Sequence, residues 1–191
     1  MTESSNGMWG YGGLRYVRRM AAHLACEGWL PSPGTHQDHP TDDPMIGRLI
    51  QMILEAYKRR HAKRRPFRFS FKSKTPATPA YEHLLCHSDA DGFYVPQDFE
   101  HVLFDSEESR PGIGGMVGSS VRLLEECLTL AQAISLPTDM DHEAEEFWTN
   151  AENPPGRGEP WQIYGLEACG LIRLIHGCQR SIQHKAVLLF T

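Results

Sequence analysis

Residues 111–120, PGIGGMVGSS, hold four glycines and run into VRLLEECLTLAQAISL at 121–136. Either the glycines grip a phosphate, which would make the chain a nucleotide enzyme, or they form a flexible entry to a helix. A Walker-type loop needs GxxxxGK[ST], with a lysine for the β/γ-phosphates and a hydroxyl for magnesium, and this stretch has no lysine. A dinucleotide fingerprint needs GxGxxG straight after a strand inside a βαβ unit. Here Gly112, Gly114 and Gly118 give GxGxxxG, and no parallel strand is expected after the helix. The segment is therefore read as an approach on which Ser119 or Ser120 N-caps a helix, its glycines letting the main chain pass close to the core or to a partner. The helix is expected over 120–136, with Val121, Leu124, Cys127, Leu128 and Ala131 as its apolar stripe and Pro137 as its stop.

Outward from this helix, two more amphipathic helices are expected on the N-terminal side. Residues 14–26 place Leu14, Val17, Ala21 and Leu24 at helical spacing, ending near Gly28, and residues 45–62 follow Pro44 and bury Met45, Ile46, Leu49, Ile50 and Ile53. Between them, PSPGTHQDHPTDDP is a loop. PFRFSFK at 66–72 alternates Phe67, Phe69 and Phe71 with Arg68, Ser70 and Lys72, a strand pattern. Short strands are also expected at EHLLC (82–86), at 93–95 and at 101–104. On the C-terminal side, a short helix is expected in 141–152, a break at PPGRGEP (154–160), and a long helix over 162–184 with Leu166, Cys169, Ile172, Ile175, Cys178 and Ile182 on one face. AVLLF (186–190) continues that helix or forms an edge strand. The fold expected is one helix-rich α+β domain over 1–191 with a small, mostly antiparallel sheet.

The net charge of −5 hides a division. Residues 1–75 carry 13 Lys and Arg against 6 Asp and Glu, while 76–191 carry 6 against 18. Such halves can steer a charged partner or attract each other within the fold. No apolar run approaches the ~18 residues of a membrane helix, and MTESSNGMWGYGG has no secretory character. The five cysteines are far apart and odd in number, so they are expected reduced and mostly buried in a cytoplasmic protein.

HQDHPTDD (36–43) gathers His36, His39, Asp38, Asp42 and Asp43, but a loop without partner ligands sets no metal geometry, and no metal is expected. In DMDHEAEEFW (139–148), His142 and Glu143 resemble the start of HExxH without its second histidine, and Asp139, Asp141 and Glu143 alternate like a calcium loop that lacks its glycine and final glutamate. What remains is an acid-rich helix start suited to the macrodipole. The basic KRRHAKRRPFRFSFK (58–72) could grip phosphates, yet its phenylalanines alternate like a core face and the chain is acidic. Nucleic acid is accordingly not the expected partner, and binding through 58–74 is the second hypothesis. An enzyme assembled from scattered residues such as His36, His39 and His142 is the third. No nucleophile elbow or cysteine signature is present, and neither catalytic residues nor a cofactor are assigned.

GFYVPQDFEHVLFD (92–105), GGMVGSSVRLLEECLTLAQAISLP (114–137) and EEFWTNAE (145–152), in this order, resemble small bacterial immunity-type proteins of polymorphic toxin systems, over about residues 85–190. The resemblance implies a non-enzymatic protein that binds and neutralises a cognate toxin. An acidic patch would suit a toxin with a basic groove. The partner-binding residues expected are Asp139, Asp141, Glu143, Glu145, Glu146 and Trp148, then Asp105, Glu107 and Glu108. The oligomeric state has no signature in the sequence.

Overall fold

The structure, a computed structural model, describes residues 7–61, 80–86, 92–104, 115–141 and 143–189. The strand expected at 67–71 and the first part of the glycine approach, with Gly112 and Gly114, lie outside these residues.

Helix α1 (Gly7–Glu27) begins well before the expected position 14. It buries Leu14, Val17, Met20 and Ala21, and ends at Gly28, whose φ of 80° lets its N–H reach back to the Leu24 carbonyl at 3.1 Å. Helix α2 (Pro44–His61) starts on Pro44, and the Asp43 carboxylate accepts from the Met45 N–H at 2.9 Å. Ile46, Leu49 and Ile53 are buried, forming the arc against α1. Ile50 stands to one side of that arc and is exposed, contrary to expectation, and Met45 is only half-buried.

The segment expected as a strand at 82–86 is instead a single helical turn, α3 (Glu82–Leu85), with all four side chains buried. Tyr81 precedes it in the left-handed region at φ 63°. The turn has no side-chain cap of its own; the Glu126 carboxylate supplies one, accepting from the N–H groups of His83 at 3.0 Å and Leu84 at 2.8 Å.

The sheet has three strands, β1 (Phe93–Val95), β2 (Leu103–Phe104) and β3 (Met116–Ser119), in the order β1-β3-β2. β1 runs parallel to β3, while β2 pairs antiparallel. Tyr94 and Leu188 exchange two further antiparallel hydrogen bonds at 3.0 and 2.9 Å, so of the two possibilities for the tail the edge pairing holds. The central strand is the second half of the glycine approach. Gly118 belongs there because a Cβ would lie 2.4 Å from the Tyr94 ring.

Ser119 ends β3 and caps α4 (Ser120–Ala133), its hydroxyl accepting from the Arg122 N–H at 3.1 Å. The buried stripe of α4 is Leu123, Cys127, Leu130 and Ala131, continued by Ile134, while Val121 and Leu124 are half-buried and Leu128 is exposed. Cys127 and Ala131 of the expected stripe are buried, and the rest of the buried arc is displaced by about one residue. The helix is gripped by α7 and by α3 together, which rotates the buried arc. Helix α5 (Glu145–Glu152) starts later than expected, and a short α6 (Pro160–Ile163) opens on Glu159 with a capping box.

Helix α7 (Gly165–His184) is the hub, touching α1, α4, α5 and α6. It buries Leu166, Cys169, Ile172, Ile175 and Cys178, with Ile182 half-buried. One large core joins α1 and α2 of the basic part to α4 and α7 of the acidic part. The fold is the helix-rich α+β class that the sequence implies. The five cysteines are unpaired, three fully buried, and burial pushes the Cys178 thiol up to about 12. No helix among the described residues is long and apolar enough to cross a membrane.

Where α1 crosses α7, Gly13 meets Gly170. A Cβ on Gly170 would stand 2.8 Å from the Gly13 carbonyl oxygen and 2.9 Å from Val17 Cγ2, both inside van der Waals contact. Gly170→Ala is expected to force the helices apart and cost about 1–3 kcal/mol, read as a lower urea midpoint with an unchanged denaturant slope.

Candidate functional site

The acidic run lies where local chain geometry puts it. Asp139 and Asp141 are exposed in the link from α4 to α5, and the Asp141 carboxylate accepts from the Glu143 N–H at 3.0 Å, tightening the turn before the helix. Glu145 and Glu146 form the first turn of α5, where the helix dipole favours negative charge. Glu146 accepts from Gln162 Nε2 at 3.0 Å, and Gln162 Oε1 accepts from the Glu159 N–H at 2.9 Å, so one amide side chain ties the start of α5 to the start of α6. Glu152 and Glu159 are exposed as well. Glu159 was missed because PPGRGEP reads as a break and not as a surface, and Glu152 because it closes EEFWTNAE, away from the acid-rich helix start. From 139 to 159 there are seven carboxylates and one arginine, Arg157.

This face has a firm backing. Phe147 is buried against Trp161 with ring centres 5.3 Å apart. Trp148 is half-buried on the second core cluster beside Tyr16 and Leu166, and the Arg173 guanidinium sits 4.3 Å from its ring centre. Trp148 therefore anchors the acidic helix as well as bordering it. Asp105, Glu107, Glu108 and His142 lie outside the described residues.

The histidine loop is exposed at His36, Gln37, His39, Thr41 and Asp42, while the segment that leads into it, 31–35, is fastened to the fold. Side chains from α1, from α7 and from the α6–α7 junction hold it down: Tyr16 donates to Thr35 O, Arg19 to Ser32 O at 2.6 Å and Tyr164 to Pro31 O at 2.7 Å, while the buried Glu167 accepts from the Gly34 N–H at 2.9 Å. His36 donates through Nε2 to the Ala151 carbonyl at 3.1 Å, and His39 is exposed at the entry to a 3-10 turn (Pro40–Asp42). Among the described residues no group of three or more His, Cys, Asp or Glu could hold a metal ion.

A second polar region was not legible in the sequence. It surrounds α3. Glu82, 1 % exposed, accepts from Arg60 at 3.0 and 3.2 Å and from the Val102 N–H at 3.1 Å. His83 accepts at Nδ1 from the Ser119 N–H at 3.0 Å, so its proton sits on Nε2 and points to the Glu100 carbonyl at 3.3 Å. Burial, the largest influence, lowers the His83 pKa and keeps the ring neutral. Beside this turn is a cleft of about 270 Å³, bordered by Tyr81, His83, Glu100, Arg122, Glu125 and Glu126. Burial raises the Glu126 carboxyl to about 7, against the lowering effect of its two backbone hydrogen bonds.

A family model matches residues 1–190, under the description "Putative DNA-mimic protein". The chain belongs to this family. The match takes in both the basic and the acidic part. No curated protein and no solved structure matches the chain.

Glu126 makes stability depend on pH in a determined direction. Its folded pKa lies above the unfolded value of 4.5, so between the two the folded state binds a proton that the unfolded state has released. The stabilisation is complete below the unfolded pKa and is lost as pH rises through about 7. Glu126→Gln removes the titration and one of the two acceptors, a fixed cost. Urea unfolding from about pH 5 to about pH 7.5 should show the natural protein losing stability relative to this variant, by a few kcal/mol. The opposing contribution of His83 is common to both proteins and cancels in the difference; parallel profiles would refute the assignment.

Proposed function

We propose that this protein works by binding a DNA-binding protein in place of DNA, its exposed carboxylates standing where backbone phosphates would lie, and that it needs no chemistry of its own. The observation that carries this reading is the acidic face of 139–159: seven carboxylates against one arginine, carried by α5, the link before it and the cap of α6, with the two helices packed from behind and bridged by Gln162. Membership of a family described as DNA mimics supports it. The physical basis is simple. Duplex DNA presents about one negative charge per 1.7 Å of axis, and proteins that bind it do so largely through Lys and Arg on phosphates. A rigid row of carboxylates competes for the same side chains with charge-assisted hydrogen bonds of similar length.

Within that class, the partner that also fits the resemblance to immunity-type proteins is a toxin that acts on nucleic acid. Its groove would carry the positive charge that this face complements. Covering such a groove inhibits without catalysis, which is why no nucleophile or metal centre is required here.

The test uses the purified chain as bait in lysate of the source cell, followed by two demands on whatever is captured. The captured protein must itself bind duplex DNA, and DNA and this chain must exclude each other from it. The affinity should fall steeply with salt. Combined Asp139→Lys, Glu143→Lys, Glu145→Lys and Glu152→Lys replacements should weaken the complex about tenfold or more, with the unfolding midpoint little changed. A captured partner that binds DNA and this chain simultaneously would sink the reading.

A further inference from the structure

The cleft beside α3 is made of residues the acidic face does not use. It is already supplied with its own cation, but that cation is spent: Arg122 donates through Nε and Nη2 to both oxygens of Asp98, at 2.5 and 3.1 Å, and through Nη1 to Glu125 at 3.0 Å. His83 contributes no charge, since Nδ1 accepts from the Ser119 N–H and burial disfavours the imidazolium. With Arg122 shared between Asp98 and Glu125, and Glu100 3.8 Å from His101 Nε2, the wall still holds more carboxyl groups than cations, Glu126 among them. Glu126 is also fixed in orientation, each oxygen held by one backbone N–H. A carboxylate clamped in this way retains acceptor capacity on both oxygens and cannot turn aside when a donor arrives.

We propose that this cleft receives an arginine side chain of the protein partner, its guanidinium seated among Glu100, Glu125 and Glu126. A planar cation with five donors suits a fixed carboxylate better than a point charge does. About 270 Å³ holds a guanidinium and part of its stem. The burial that holds the Glu126 carboxyl near 7 is an unfavourable charge environment that an arriving cation relieves. The exposed carboxylates of 139–159 steer a basic partner, and Glu126, largely buried beside the exposed Glu100 and Glu125, supplies the anchor that area alone does not. The inference rests on the proposed mimicry only for the source of the arginine.

The experiment is a ¹⁵N-correlation titration of the full chain with N-acetyl-arginine amide, with the uncharged N-acetyl-citrulline amide as control. The amides of His83 and Leu84, which donate to Glu126, should shift saturably with the arginine probe and not with citrulline. Thr129 is exposed on the cleft wall and donates to the Glu125 carbonyl within α4. Thr129→Tyr should fill the opening without touching the Glu126 hydrogen bonds, leave the unfolding midpoint in place, and weaken probe binding about tenfold or more. Glu126→Gln should abolish the shift. Equal response to citrulline, no saturable shift up to the solubility limit, or a Thr129→Tyr protein that binds as the natural one would each overturn the site. The lysine replacements on the 139–159 face should leave probe binding intact, so failure of the mimicry and failure of this cleft give different results.

Discussion

The carboxylate of Glu126 caps a helical turn that cannot cap itself, and four parts of the fold converge on that turn. The chain enters α3 from Tyr81 in the left-handed region, a conformation that costs a bulky residue and persists only where the surroundings demand it. They do so from every side. Arg60 of α2 grips Glu82, the sheet region contributes the N–H groups of Val102 and Ser119 and the hydroxyl of Tyr94, and Arg18 of α1 donates to the Leu84 carbonyl at 3.1 Å. Losing any one partner would leave a buried polar group unsatisfied, at about 1–3 kcal/mol, and separating the Arg60–Glu82 pair would cost about 3–5 kcal/mol. The turn is over-determined, and the cleft beside it inherits that rigidity.

The same contacts explain what the divided charge of the sequence does. Arg60 and Arg19 come from the basic part, and each reaches a buried carboxylate of the acidic part, Glu82 and Glu167. These pairs join the halves through the core, where charge is tolerated only in company. The acidic run at 139–159 has a different relation to the fold. Its side chains are on the surface, where seven like charges raise their mutual repulsion and lower stability. The backing of Phe147 on Trp161, Trp148 under Arg173, and the close approach of Gly165 to the Asn150 carbonyl holds α5 against that repulsion.

How much of this was legible follows from the range of each interaction. Helices α1, α2 and α7 were visible because burial of one face writes a 3.6-residue period into the local sequence, and Ser119 was visible because an N-cap acts over three residues. The turn at 82–85 was misread as a strand, since its cap comes from Glu126, more than forty residues away. β3 was hidden by its glycine, which weakens a strand pattern but is required by the Tyr94 ring. The phase of α4 was wrong because two neighbours, not one, decide its buried arc. The acidic face was read correctly as exposed up to Glu146, because exposed charge is a local property, while the cleft escaped notice since residues 81, 83, 100 and 122–126 meet only in the folded chain.

On the proposed reading, a protein that substitutes for DNA faces a physical requirement that this arrangement would meet in two steps. Duplex DNA is stiff, so its phosphates arrive without an ordering cost, and a flexible acidic tail would have to be ordered at the moment of binding, losing affinity. Carboxylates on α5 and at the start of α6 avoid much of that loss because the helices are fixed from behind and to each other. Exposed charge alone, however, is screened by salt within about 8–10 Å and gives rate more readily than affinity. Retention needs at least one contact withdrawn from water. A carboxylate clamped by two backbone N–H groups in a cleft would be such a contact, and those N–H groups belong to the cross-braced turn α3.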